Sequence, residues 1–286
     1  MLAEALGGAA ALSTAAIWAY VSVAYKKYVR ELGPLRTNVM RMLYASIATA
    51  PLAALLLRPG PGAAYALASG VLSLGVGDTL YLSSIGAAGV SVAAPVSYTY
   101  VVLAELISAP LLREPLSPGL LAAAALVVAG VALISRGPGG GAPLRGVLYA
   151  LGAAAAWSLG QVLIGAADVA GLSPVAIAFL RASASGAALS AVAEARGGGL
   201  GDAVRSTWRT PLPLLAAADL GLGVSLFAAS ISLLDFDRAV VLVSSLPLFA
   251  QLMAWASGSE RPRPAEVAGA AAVVAAVVVA FAAKAR

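Results

Sequence analysis

Gly75-Val-Gly-Asp-Thr-Leu-Tyr-Leu-Ser-Ser-Ile85 returns later in the chain as Gly221-Leu-Gly-Val-Ser-Leu-Phe-Ala-Ala-Ser-Ile231. At the same offset Glu114 falls on Glu260 and Pro118 on Pro264. Upstream, the Pro34/Arg41 spacing is repeated by Pro174/Arg181, and Trp18 by Trp157. The offset grows along the chain because the connection from Glu194 to Pro211 is longer than its counterpart. Small residues coincide by chance in Ala-rich segments. Trp, Pro, Arg, Gly-x-Gly and Glu recurring in one order mark an internal duplication.

The duplicated segments are apolar. Of 286 residues, 61% are hydrophobic and only 11% charged, against about 25% charged in an average soluble domain. Such a chain has too little polar side chain to coat a globule in water, so its solvent is lipid over most of the surface. A helical crossing needs about 20 apolar residues. Ten stretches qualify: 7–25, 37–57, 63–84, 92–112, 118–135, 145–164, 174–193, 212–233, 239–258 and 264–283. Their length and Ala/Leu content favour helices over the short alternating strands of a barrel. The N-terminus, Met-Leu-Ala-Glu, has no basic region ahead of the first apolar stretch, so no cleaved signal peptide is expected.

The fold class expected is therefore an all-α integral membrane protein of ten transmembrane helices. Five spans per unit is an odd number, which reverses the second unit across the bilayer and makes the pair inverted-topology five-helix repeats. Residues 1–136 form the first unit, 137–144 the linker and 145–286 the second. Inverted repeats give many secondary transporters their two exchangeable conformations. The linker glycines are not followed by Gly-Lys-Ser/Thr, so a phosphate loop has little support.

Cysteine and histidine are absent, which removes thiol nucleophiles, disulfides, Cys/His metal sites and His-based acid–base chemistry. No cofactor and no metal is expected, and no catalytic residue is assigned. The net charge of +5 reads as basic residues at membrane interfaces; without stacking aromatics among them, no nucleic acid is expected as a partner.

Further residues carry a resemblance. Trp18 is followed by Lys26-Lys27, then Pro34 and Arg41, a Gly-rich third helix, a fourth leading into Arg113-Glu114-Pro-Leu, and an Ala/Gly-rich fifth, after which the pattern repeats. This order resembles the drug/metabolite transporter superfamily, in particular its branch of paired EamA-type repeats, over residues 7 to 283. The resemblance implies a ten-helix basket around a central cavity that moves amino acids or other small metabolites, often outward. Two positions depart from the duplication: Val101 stands where the ninth helix has Pro247, and Pro262 where the first Glu motif has Leu116.

Ionisable residues within a span cost roughly 2.5–3.5 kcal/mol each on insertion scales and are functional candidates by default. Arg41 and Arg181 are repeat-related, and with Asp219 they are read as structural or ion-pairing. Asp78 and Glu105 have no ionisable mates, since they map onto Val224 and Gln251. Each shares a helical face with a tyrosine, Tyr81 and Tyr98 respectively, which suits a cavity wall. The alternative for Asp78 is an Arg41–Asp78 or Arg181–Asp219 ion pair. Glu105, sheltered from water, is the candidate for proton exchange, and Gln251 lines the matching face of the ninth helix. Trp18, Trp157 and Gln161 are assigned to the cavity, and Tyr81 with Phe227 to a gate pair. Gly75, Gly77, Gly221 and Gly223 are read as close-packing positions. The fifth and tenth helices are scaffold or homodimer contacts.

The expected function is a secondary transporter of small metabolites (amino acids or related compounds, outward), working by alternating access with proton coupling as an option, in the cell membrane. A channel-like or structural membrane protein and an intramembrane enzyme are the alternatives. Orientation stays open: Lys and Arg are concentrated on the side of the 1–2, 3–4, 5–6, 7–8 and 9–10 connections, which places the termini outside, whereas the resemblance implies termini in the cytoplasm.

Overall fold

The computed structural model describes residues 2–57, 60–111, 118–136, 141–169, 171–234 and 236–284. Within them the chain is helical, and ten spans emerge as two inverted-topology five-helix repeats. The first repeat comprises Leu2–Leu32, Pro34–Leu56, Gly62–Ala88, the pair Val90–Ser97 with Tyr100–Leu111, and Pro118–Arg136. The second comprises Leu144–Val169, Pro174–Ala195, a composite from Leu212–Ala216 to Val224–Leu234, the pair Phe236–Val243 with Leu246–Ala256, and Pro264–Lys284. Several helices outrun their apolar stretch; the first extends well beyond residue 25. A helix ends at its capping signal and not where the hydrocarbon ends: here Gly33, at φ 80°, turns the chain into Pro34.

The third and eighth spans carry repeat-related π segments, Gly70–Gly77 and Ala217–Gly223. A π turn widens the helix and frees carbonyls for partners outside it. Expected as continuous, the fourth and ninth spans are both interrupted, at Tyr98-Thr99 and at Ser244-Ser245, again repeat-related. Hydroxyls satisfy the carbonyls there: Thr99 donates to Val96 O (2.7 Å), Ser244 to Val241 O (2.6 Å) and Ser245 to Leu242 O (2.6 Å). Irregular backbone at membrane depth persists only where such partners exist or where it is buried in protein. The Val101/Pro247 difference leaves the break intact in both repeats.

Packing between the repeats is reciprocal. The first span lies on the eighth and the sixth on the third; the second pairs with the seventh and the fifth with the tenth. Two glycines set the last crossing: a Cβ on Gly130 would come within 2.8 Å of Gly269 O, and one on Gly269 within 2.6 Å of Gly130 O. Close approach of this kind is how membrane helices associate without a hydrophobic driving force. The long connection after the seventh span holds a short helix, Leu200–Thr207, bent 97° from the helix that follows. Ala203 and Thr207 face inward while Asp202 and Arg205 are exposed, as befits a helix lying in the interface. Exposed Trp208 contacts Tyr44 beside it.

Candidate functional site

Arg41 enters the bundle from the second span and is buried, as are its two acidic neighbours. Its Nη1 lies 3.1 Å from Asp78 Oδ2 and its Nη2 2.7 Å from Asp219 Oδ2. Asp78 belongs to the first repeat and Asp219 to the second, so one guanidinium joins the halves. Asn38, one turn before Arg41, accepts from Nη1 at 3.0 Å and donates to Leu74 O at 2.7 Å, a carbonyl of the π segment. Tyr25 covers the guanidinium at 4.6 Å and donates to Asp219 Oδ2 at 3.0 Å. Two carboxylates, one from each repeat, thus converge on one guanidinium.

The tryptophans hold this cluster from opposite repeats. Trp157 Nε1 donates to Asp78 Oδ1 (2.8 Å), and Trp18 Nε1 to the backbone carbonyl of Asp219 (3.0 Å). Each indole lies against a π-segment glycine of the other half. A Cβ on Gly77 would come within 2.6 Å of Trp157, and one on Gly223 would meet Trp18. Gly75 and Gly221 do not show this: at Gly221 nothing lies within 4 Å. Tyr81 donates to Ser22 at 3.0 Å and packs on Trp157 at 5.2 Å, while Phe227 packs on Trp18 at 5.8 Å. Tyr81 and Phe227, read from the sequence as a gate pair, thus each pack on the tryptophan of the opposite repeat. Tyr100 links Trp157 (5.7 Å) to Tyr98 (5.6 Å) at the break in the fourth span.

Of the two ion pairs weighed from the sequence, Arg41–Asp78 forms and Arg181–Asp219 does not, because Arg41 holds Asp219 as well. Arg181 donates instead to Ser73 Oγ at 2.7 Å. Gln251 is buried, but its amide donates to Ser91 O (2.9 Å) and Glu266 O (3.0 Å), tying together the fourth, ninth and tenth spans. The side chains of Glu105 and Gln161, and all of Arg113 and Glu114, lie outside the described residues. Sequence reading passed over Tyr25, Asn38, Ser73 and Tyr100. Tyr25 shares a face with Trp18 and Ser22, Asn38 sits one turn from Arg41, and Ser73 is the repeat-mate of Asp219, so three of these signals were present.

A second network ties the first helix to the start of the fourth span through the loop after the ninth. Lys26 Nζ meets Glu260 Oε1 at 2.6 Å, and the same carboxylate accepts from Val90 N (2.8 Å) and Ser91 N (2.9 Å) at the start of the fourth span. The carboxylate thereby occupies a helix N-terminus, where the aligned backbone dipoles favour negative charge. Gly89 has no alternative here: φ is 82°, and a Cβ would stand 2.7 Å from Glu260 Oε1. A cavity of about 340 Å³ opens beside the latch, lined by Lys26, Arg30, Glu260 and Arg261 among others. Lys26 lines this cavity, whereas Lys27 is exposed and pairs with Glu31 at 3.9 Å.

Burial alone would raise the Glu260 pKa, but the Lys26 ammonium and the Ser91 and Val90 N–H groups outweigh it and hold it below the ordinary carboxylate value. A depressed folded-state pKa contributes stability above the unfolded value and loses it as pH falls through the folded one. Glu260→Gln is therefore expected to melt lower than wild type at neutral pH, with the difference shrinking as pH falls from neutral through the acid range. Melting curves of both proteins in detergent across that range test this; a pH-independent difference would sink it.

The sequence model of the EamA-like transporter family matches residues 5–136 and again 144–282. An uncharacterized transporter of Archaeoglobus fulgidus is 36% identical over 155 residues, 52% of this chain and 54% of that protein. The chain thus spans about half the length of this curated relative. A protein of known crystal structure superposes with a TM-score of 0.62 at 21% identity, covering 98% of this chain and 96% of the other. That likeness shows the fold alone.

Proposed function

The chain belongs to the EamA-like transporter family, and from that premise we propose that it is a secondary transporter exporting small metabolites, amino acids or related compounds first, across the cell membrane. The observation that carries this reading is the Arg41 clamp, in which one guanidinium of the first repeat is shared between Asp78 of its own half and Asp219 of the other. Residues 1–136 and 145–286 rock as the two bodies, and the clamp lies at their seam. Helix breaks at repeat-related places in the fourth and ninth spans support the same reading, since discontinuous helices supply the substrate and ion sites of many inverted-repeat transporters. Lys26–Glu260 ties the first helix to the loop after the ninth span in this conformation.

The two carboxylates sharing one guanidinium supply a coupling route. Neutralising Asp219 removes the charge that Arg41 Nη2 faces and loosens the bond between the halves, so charge at the seam and movement become linked. The test is counterflow and pH-gradient-driven flux of labelled amino acids in proteoliposomes. Saturable, stereoselective flux that responds to the gradient is expected, with Asp219→Asn keeping counterflow and losing the gradient response. If the loss follows Glu105→Gln instead, the proton is carried there. Non-saturable flux indifferent to stereochemistry would replace this reading with a channel.

A further inference from the structure

Arg41 and Arg181 are repeat-mates on the second and seventh spans, yet their surroundings differ in one systematic way. The polar partners of Arg41 are Asp219, Asp78, Asn38 and Tyr25. The duplication carries these positions onto Ser73, Val224, Ala178 and Ile164. The geometry is conserved where the chemistry allows it: Arg41 reaches across the seam to Asp219 at 2.7 Å, and Arg181 reaches across it to Ser73, the mate of Asp219, at 2.7 Å. The second arginine thus sits in a copy of the first site from which both carboxylates have been removed.

What remains is a cation without a counter-charge in contact. Among the described residues no carboxylate lies within ion-pairing distance of Arg181. The hydroxyl of Ser185, one turn further along the same face, is buried without a hydrogen-bond partner, whereas a buried, unpartnered Nε is common to Arg181 and Arg41 and does not separate them. Asp78 and Tyr100 lie within electrostatic range, which places the guanidinium near the break in the fourth span. An intramembrane arginine without an anion in contact is costly to bury, a cost that a ligand supplying the missing anion would offset. Arg41 shows what that ligand must look like, because a carboxylate is what its mate holds in the same seat.

We infer that Arg181 receives an anionic group of the transported molecule, a carboxylate in the first instance, in the seat that Asp219 and Asp78 occupy at Arg41. This rests on the transporter reading and narrows its substrate class to small carboxylates, the carboxylate end of an amino acid included. The fork of the guanidinium matches a carboxylate in two-point contact. The two arginines then divide the labour: Arg41 is neutralised from within and closes the seam, and Arg181 is neutralised by the cargo.

The test compares L-amino acids with their carboxamides as probes, read by thermal shift on lipid-depleted protein in detergent. A probe acid at about 100 times its dissociation constant stabilises the native state by roughly 2.7 kcal/mol. Acids are expected to raise the melting temperature and the matching amides not to. Arg181→Gln is expected to abolish the shift. The decisive variant is Ser73→Asp, which rebuilds the Arg41 arrangement: it should raise the melting temperature of the ligand-free protein and abolish the acid-specific shift, because the protein's own carboxylate then fills the seat. Val224→Asp, the mate of Asp78, makes the same test from the other repeat. Equal shifts from acids and amides in wild type overturn the inference, as do acid-specific shifts that survive in Ser73→Asp and Val224→Asp. Inorganic phosphate shifting the protein where carboxylates do not would also overturn it in favour of a phosphate or lipid headgroup. Counterflow by the wild-type protein is read separately, so a transporter of uncharged compounds that ignores Arg181 keeps the functional reading and loses only this one.

Discussion

Arg41→Met is expected to cost the protein most of its stability, on the order of 3–5 kcal/mol, because it leaves Asp78 and Asp219 charged, buried and facing one another. The loss is larger than a deleted contact because the remaining carboxylates retain their desolvation penalty and lose their counter-charge. Among the described residues, Trp157 and Tyr25 would still donate to them. The triple variant Arg41→Met, Asp78→Asn, Asp219→Asn should recover much of the loss, since a neutral buried cluster carries no such penalty. The measurement is the melting temperature and monodisperse fraction of each variant in detergent. Rescue separates a charge effect from a shape effect; a single variant that melts with wild type would mean Arg41 does not hold the halves together. Because the same cluster is the proposed coupling element, the rescued variant should be folded and indifferent to a pH gradient.

Gly223→Leu is expected to have the next largest effect, about 1–3 kcal/mol of overpacking, together with loss of transport. Its side chain would enter the space of the Trp18 indole and break the bond from Nε1 to Asp219 O. Asp219 would then be displaced from Arg41, so a steric change on the eighth span reaches the charge cluster. Trp18→Ala in the same chain makes room and should restore stability. Gly77 with Trp157 is the reciprocal pair, and Gly77→Leu should behave alike. Gly221→Leu is the control, since a Cβ there meets nothing; if it proves as damaging as Gly223→Leu, the close approach of Trp18 is not the cause.

That control marks a limit of sequence reading. Gly75, Gly77, Gly221 and Gly223 look equivalent in the chain, and only the placement of the opposite repeat's tryptophans separates the two positions an indole covers from the two it does not. The π segments are of the same kind, because nothing in Gly70–Gly77 distinguishes a widened helical turn from an ordinary glycine-rich one. The breaks in the fourth and ninth spans were hidden by their apolar flanks, although Thr99, Ser244 and Ser245 held the hydroxyls that make them tolerable.

The sequence by itself determined the membrane environment, the number of crossings, the duplication and the reversal of the second half. These follow from composition, from apolar length and from the parity of five, none of which depends on which residues meet. It also named Arg41, Asp78, Arg181 and Asp219 as the charges that need an explanation. Their partners were decided by tertiary structure. Arg41 had two acidic candidates and took both, while Arg181 was left with Ser73, because the reciprocal crossing of inverted repeats brings the third span of one half to the seventh of the other. Pairing across a pseudo-two-fold depends on helix rotation and crossing distance. Those are set by close backbone contacts such as Gly130 on Gly269 and Trp18 on Gly223, and they have no signature in a single chain read along its length.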